Sequence, residues 1–187
     1  MSPPFRKVDD RLRYQGSLIS VRVVGFEDPG GNRFERDVVH HPGAVVVVPI
    51  TADRGVLMVR QFRAAIGADL LEIPAGKRDV EGEPTEVTAA RELAEEVGRK
   101  AGHLELLARF YNSPGFTDEL THLYLATDLE EVPLDRQGWE EQEMTIEEVP
   151  LDDVPGLIAD GRLVDAKSIF GVALARERLS GGRDAAG

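Results

Sequence analysis

The stretch from Leu71 to Gly98, LEIPAGKRDVEGEPTEVTAARELAEEVG, constrains this chain more than any other. Three glutamates, Glu92, Glu95 and Glu96, crowd together beside Arg91. At about 100° per residue, a helix places them within an arc of roughly 100°. Val87, Ala90, Leu93, Ala94 and Val97 then fall on the other side. Pro84 suits the first turn of such a helix, and Gly98 supplies its stop. Carboxylates at i and i+4 repel one another and weaken an isolated helix, so the crowding calls for a cation. Taken alone, an acidic helix reads better as a solvated face. This one follows an apolar strand-like Leu70-Leu71-Glu72-Ile73, a tight Pro74-Ala75-Gly76 turn and a polar loop with Gly82 and Glu83. Together these make a site for a hard cation such as Mg²⁺, which keeps several waters and binds few carboxylates plus substrate phosphate oxygens.

Charge sharpens that reading. The net charge is −12, which argues against a nucleic-acid partner, because such binding depends on Lys and Arg displacing counterions. An anionic phosphate substrate would be repelled unless divalent ions neutralise the carboxylates and bridge to its oxygens. Metal dependence is therefore expected. Apolar residues make up 42% of the chain and charged residues 30%, as in a globular protein. No apolar run long enough to span a membrane and no leader pattern is visible. With no cysteine, disulfides and thiol catalysis are excluded, and a cytoplasmic location is expected.

Along the chain, residues 1–10 carry two prolines and are expected to be loose. Residues 17–26 and 34–40 read as strands around the Asp28-Pro29-Gly30-Gly31-Asn32 turn, giving a hairpin-like region over 1–42. His40 and His41 point to opposite faces of a strand, so a shared metal is disfavoured. Ala44 to Ile50 is an apolar, valine-rich run typical of a central strand buried on both faces. Further strands are expected at 56–60, 70–73, 103–111, 120–126 and 144–149, with an acidic loop over 129–143 holding the only Trp, Trp139. Helices are expected at 151–159 and 166–179, then a disordered tail over 181–187. The main domain would span 43–180. Strands around one helix, with more helices following, predict an α/β protein with a mixed sheet between helical layers.

Gly76…Glu83…Arg91-Glu92-Leu93-Ala94-Glu95-Glu96-Val97-Gly98 resembles the Nudix box, G-x5-E-x7-R-E-U-x-E-E-x-G-U with U apolar. Six residues rather than five separate Gly76 from Glu83, and Arg99 stands where an apolar residue is usual. Neither departure touches a carboxylate. The resemblance implies an α/β/α sandwich and hydrolysis of a nucleoside diphosphate linked to another group. Six further blocks resemble the ADP-ribose and nucleotide-sugar pyrophosphatase branch: Tyr14-Gln15-Gly16, His41 to Val45, Val59 to Arg63, Glu72 to Gly76, Ser113 to Glu119, and Asp165 to Ser168. Pro114, placed 16 residues after Gly98, is similar to the proline that marks that branch.

The resemblance and the shared helix face together make Glu92, Glu96, Glu95 and the Ala75 carbonyl the metal ligands, with Glu83 assisting. The ion implied is Mg²⁺, with Mn²⁺ able to substitute. Arg91 is read as pinning the carboxylate rotamers. The branch carries its general base on a downstream loop, here Trp139-Glu140-Glu141-Gln142-Glu143, which makes Glu141 the first choice, then Glu143 and Glu140. Arg60, Gln61 and Arg63 are expected to meet phosphate or ribose, as are Pro114, Gly115 and Glu119 from their loop. The expected reaction is cleavage of ADP-ribose to AMP and ribose 5-phosphate. ADP-glucose or GDP-mannose hydrolysis is an alternative, and a non-catalytic sensor of ADP-ribose another. A homodimer with crossing amino-terminal strands is implied by the resemblance alone.

Overall fold

Three largely polar strands build the amino-terminal sheet. In the computed structural model, which describes residues 4–136 and 139–184, β1 (Arg6–Gln15), β2 (Ser20–Glu27) and β3 (Arg33–His40) form one antiparallel sheet in that order. The turn between β2 and β3 is where the sequence places it. Asp28 Oδ1 accepts from the Gly30 and Asn32 amides at 2.8 and 2.9 Å, and Gly31 takes φ 83°.

Residues 1–10 are not loose throughout, because β1 begins at Arg6. Its polar sequence hid it. The strand is held by ion pairs to residues distant in sequence: Asp10 with Arg22, Arg11 with Glu35, and Arg6 with Glu27 at 2.8 Å. Phe5 adds an edge-on contact to Phe34, with ring centres 5.5 Å apart. This sheet belongs to a compact unit comprising Met1–Gly43 and Phe110–Thr121. Within it Val39 donates to Phe116 O at 2.7 Å and accepts from Asp118 N at 3.2 Å. Asp118 also binds the His40 ring and the His41 amide, so those histidines tie the segment together.

The second unit comprises Ala44–Arg109 and His122–Gly187. Its strands and helices are β4 (Ala44–Pro49), β5 (Gly55–Arg63), β6 (Ala68–Glu72), β7 (Ala75–Lys77), α1 (Thr85–Val97), α2 (Trp139–Gln142), β10 (Thr145–Pro150), α3 (Val154–Ala159) and α4 (Ala166–Asp184), with most of β8 (Arg99–Tyr111) and β9 (Leu120–Glu131). The strands are ordered β7-β4-β9-β8 in one sheet and β10-β5-β6 in another.

β4 is buried along its whole length. Its side chains alternate between faces. Val45 and Val47 join Leu57, Val59 and the α1 residues Ala89, Leu93 and Val97 in one apolar cluster. On the other face, α4 approaches so closely that a Cβ on Gly171 would lie 3.0 Å from Ile73 and Leu123 and 3.2 Å from Val48. Helices on both faces make the expected α/β/α sandwich.

Helix α1 begins after Pro84 and ends at Gly98, whose φ of 61° is one that L side chains rarely adopt. The extra residue before Glu83 is absorbed in a turn closed by Glu83 N to Val80 O at 3.2 Å, with Gly82 at φ 77°. Arg99, the other departure, donates to Gly98 O at 3.0 Å and pairs with Glu131 at 3.2 Å. Several boundaries differ from expectation: β5 runs on to Arg63, β8 begins at Arg99 rather than 103, and α3 begins at Val154 rather than 151. The acidic stretch over 129–143 holds the end of β9 and the short α2, and α4 continues past Leu179 to Asp184.

Candidate active site

Strand β7 pairs with β4, Gly76 opposite Val45 and Ala75 opposite Val46, which sets the turn against α1. Glu92 and Glu96 are only 7% and 3% exposed. Their burial departs from the sequence reading in one respect, since the carboxylate face was expected opposite the face that packs. Gly76 makes room: a Cβ there would lie 1.9 Å from the Glu92 carboxyl carbon. The Ala75 amide donates to Glu96 Oε2 at 3.0 Å. The inward stripe of α1 is therefore Thr88, Ala89, Glu92, Leu93, Glu96 and Val97, while Val87 and Ala90, expected to pack, are exposed.

Arg91 sits among the carboxylates, with Nη1 2.8 Å from Glu92 and 3.0 Å from Glu95, and Nη2 3.7 Å from Glu83. Burial pulls its pKa down, but the charges of Glu92, Glu95 and Glu83 outweigh that and raise it. Glu83 also accepts from Thr88 Oγ1 at 2.7 Å. Among the described residues, no three Asp, Glu or His side chains converge closely enough to hold an ion as they stand; the guanidinium occupies the middle of the set. The donors nevertheless fit a hard divalent cation. All are oxygens, and the glycine-lined turn is a cradle that any side chain would fill.

A buried ionic network lies behind the turn, and sequence reasoning did not assign it. Glu72, 1% exposed, receives Arg63 through two bonds, Nε at 2.7 Å and Nη2 at 2.6 Å. Lys167 lies 3.7 Å from Glu72 and 2.6 Å from Asp165. Asp165 caps α4 by accepting from Ser168 N at 2.9 Å and from Ser168 Oγ at 2.7 Å. Burial pushes the Asp165 carboxyl up, but Lys167 and the Ser168 hydrogen bonds together hold it below the usual range. Ser168 Oγ in turn accepts from Ile73 N at 2.8 Å. Two signals could have found this network: a lone acid inside the apolar Leu70–Ile73 strand, which must be paired when buried, and an aspartate just ahead of a helical pattern.

The other expected residues scatter. Arg60 pairs with Glu147 on β10 at 2.6 Å. Gln61 is buried in β5. Arg60 and Glu147 also line a cavity of about 490 Å³ with Asp152, Asp153, Leu157 and Arg162, which includes no α1 carboxylate. Pro114 and Gly115 lie in the turn closed by Phe116 N to Ser113 O at 3.1 Å, in the amino-terminal unit, and the Glu119 amide donates to Thr117 Oγ1 at 3.3 Å. Glu143 is exposed beside α2. The side chains of Glu140 and Glu141 lie outside the described residues.

Comparison with known proteins decides the family. The model of the NUDIX domain matches residues 40–170. The chain belongs to the Nudix family. An ADP-ribose pyrophosphatase from Bacillus subtilis (strain 168) is 38% identical over 159 residues, covering 85% of each chain. A methanol dehydrogenase activator from Bacillus methanolicus is 38% identical over 160 residues, again covering 85% of each. A crystal structure of an ADP compounds hydrolase superposes with a TM-score of 0.84 at 25% identity, covering 96% of both chains. Nudix hydrolases use divalent metal ions, the chemistry for which the oxygen donors around Gly76 are suited.

Proposed function

We propose that this Nudix hydrolase cleaves the pyrophosphate bond of ADP-ribose, releasing AMP and ribose 5-phosphate, with Mg²⁺ as the working ion and the cytoplasm as its location. The observation that carries the reading is the burial of Glu92 and Glu96 against a turn kept clear by Gly76. Glu92, Glu96, Glu95 and the Ala75 carbonyl would hold the ion, with Glu83 assisting and Arg91 orienting the carboxylates. An ion held there would supply charge neutralisation for the diphosphate and activation of a water. The ADP-ribose pyrophosphatase and ADP compounds hydrolase among its relatives support the choice of substrate.

Hydrolysis needs an acceptor for the proton of the attacking water. By resemblance that acceptor is Glu141, with Glu143 and Glu140 as alternates. Glu141→Gln should slow kcat by about 10²-fold or more without weakening metal binding; a normal rate moves the role to a neighbour. Arg60 and Gln61 remain the phosphate or ribose contacts of choice on β5. Arg63 is better read as structural, because its Nε and Nη2 are both engaged by the buried Glu72. Pro114, Gly115 and Glu119 are the candidates contributed by their own loop.

AMP release from a panel of ADP-ribose, ADP-glucose and GDP-mannose with Mg²⁺ tests the substrate. ADP-ribose should lead in kcat/KM by about tenfold. Preference for GDP-mannose would replace the substrate, and tight binding of ADP-ribose without AMP would make the chain a sensor. The homodimer is assigned to the amino-terminal sheet, where Phe5, Leu12 and Tyr14 are exposed. Light scattering should therefore give twice the 20.5 kDa chain mass, and a monomer would refute the assignment. Among the described residues no helix is long and apolar enough to cross a membrane.

A further inference from the structure

The backbone from Glu72 to Ala75 is gripped from several directions. The Glu72 side chain is held by Arg63 and Lys167. The Ile73 amide donates to Ser168 Oγ at 2.8 Å, Pro74 O accepts from Val47 N at 2.9 Å, and the Ala75 amide donates to Glu96 at 3.0 Å. Three of these grips come from the sheet or from α1, which border the site directly. Two come instead from the first turn of α4: Lys167 on Glu72 and Ser168 on Ile73. Ser168 is fully buried there, and its hydroxyl hydrogen is committed to Asp165. With its proton directed at a carboxylate, the oxygen is left as an oriented acceptor for Ile73 N–H. Asp165 thus sets the direction in which Ser168 can bond, and Lys167 ties the same carboxylate to Glu72.

We propose that Ser168 and Asp165, in the first turn of α4, are positioning residues for the ion-binding turn, fixing the peptide from Ile73 onward and with it the direction of the Ala75 carbonyl. The inference rests on the reading that Ala75, Glu92 and Glu96 hold the ion. Neither α4 residue touches the ion or the substrate. Their effect passes through two peptide units and should be read in metal affinity, as for groups that orient the ligands of other metal sites. Removing the Ser168 hydroxyl also leaves a buried Ile73 N–H without its acceptor, which favours a rotated peptide.

The test is Mn²⁺ binding to the full chain without nucleotide, followed by electron paramagnetic resonance of the free ion, with circular dichroism and Tm in parallel. Ser168→Ala should weaken Mn²⁺ binding by about ten- to a hundredfold, and Asp165→Asn should weaken it in the same direction. Raising Mn²⁺ should restore kcat in Ser168→Ala. Arg178→Ala removes the pair with Glu105 elsewhere on α4 and should leave Mn²⁺ affinity unchanged. A Ser168→Ala protein with lower Tm but parental Mn²⁺ affinity would overturn the proposal and make the contact a prop. Should that variant fail to fold, Ser168→Cys keeps nearly the same volume with a weak acceptor and is judged by the same measurement. Glu96→Gln separates the two ways of failing. If it too leaves Mn²⁺ affinity unchanged, the ion is not at the turn. If it abolishes binding while the α4 variants do not, only the positioning role is lost.

Discussion

Glu96→Gln should lower kcat by about three orders of magnitude, the scale of several kcal/mol of lost transition-state stabilisation. The fold should survive. Glutamine is nearly isosteric, and its carbonyl can still accept from the Ala75 amide, now 3.0 Å from the carboxylate. Removing one charge from a crowded set also relieves repulsion along α1, so Tm should hold or rise slightly. Such an exchange of activity for stability is common where a site concentrates like charge. Steady-state kinetics with Mg²⁺ and a thermal melt on one preparation check both halves. A drop in Tm with activity retained would make Glu96 a packing residue and remove the main support for the ion site.

Gly76→Ala is the sharper steric test. The added Cβ would lie 1.9 Å from Cδ and Oε1 of Glu92 and 2.3 Å from its Cγ. Because Cγ sits near the root of the side chain, turning the carboxylate tip cannot relieve the overlap, and the whole side chain must swing away. We expect kcat to fall by about a hundredfold or more as one ligand is displaced, with an overpacking cost of about 1–3 kcal/mol. Glu92→Ala combined with Gly76→Ala distinguishes clash from lost ligand. The pair should regain most of the stability that Gly76→Ala loses, because the clashing atoms are gone, yet remain inactive. Parental activity in Gly76→Ala would show that Glu92 need not occupy its present place.

Much of this site was legible because charge spacing and turn chemistry are local. The crowded glutamates, Gly98 and the Gly76 turn announce themselves within a single stretch, and α1 lies where they place it. What failed was the orientation of the helix about its axis. Hydrophobicity put Val87 and Ala90 inside, yet both face outward because Glu92 and Glu96 are turned in toward Ala75 and Gly76. Non-local pairing was the other blind spot. The polar strand β1 pairs along its length with β2, and residues of β2 and β3 supply opposite charges to its side chains. Arg63 looked like a phosphate ligand until the β5–β6 register, with Arg63 opposite Ala68, accompanied its pairing with the buried Glu72. Six blocks were recognised as related without a reason for two of them. Glu72 to Gly76 and Asp165 to Ser168 go together because Ile73 binds Ser168.

The close seat of α4 on the sheet at Gly171 has a mechanical consequence. With Ile73, Leu123 and Val48 already at contact distance from the site of any added methyl, the helix has little room to roll or slide independently of the strands beneath it. Its early residues are likewise tied to Ile73, through Ser168. A disturbance applied well along the helix is thereby passed to Ile73, at the head of the proposed ion-binding turn.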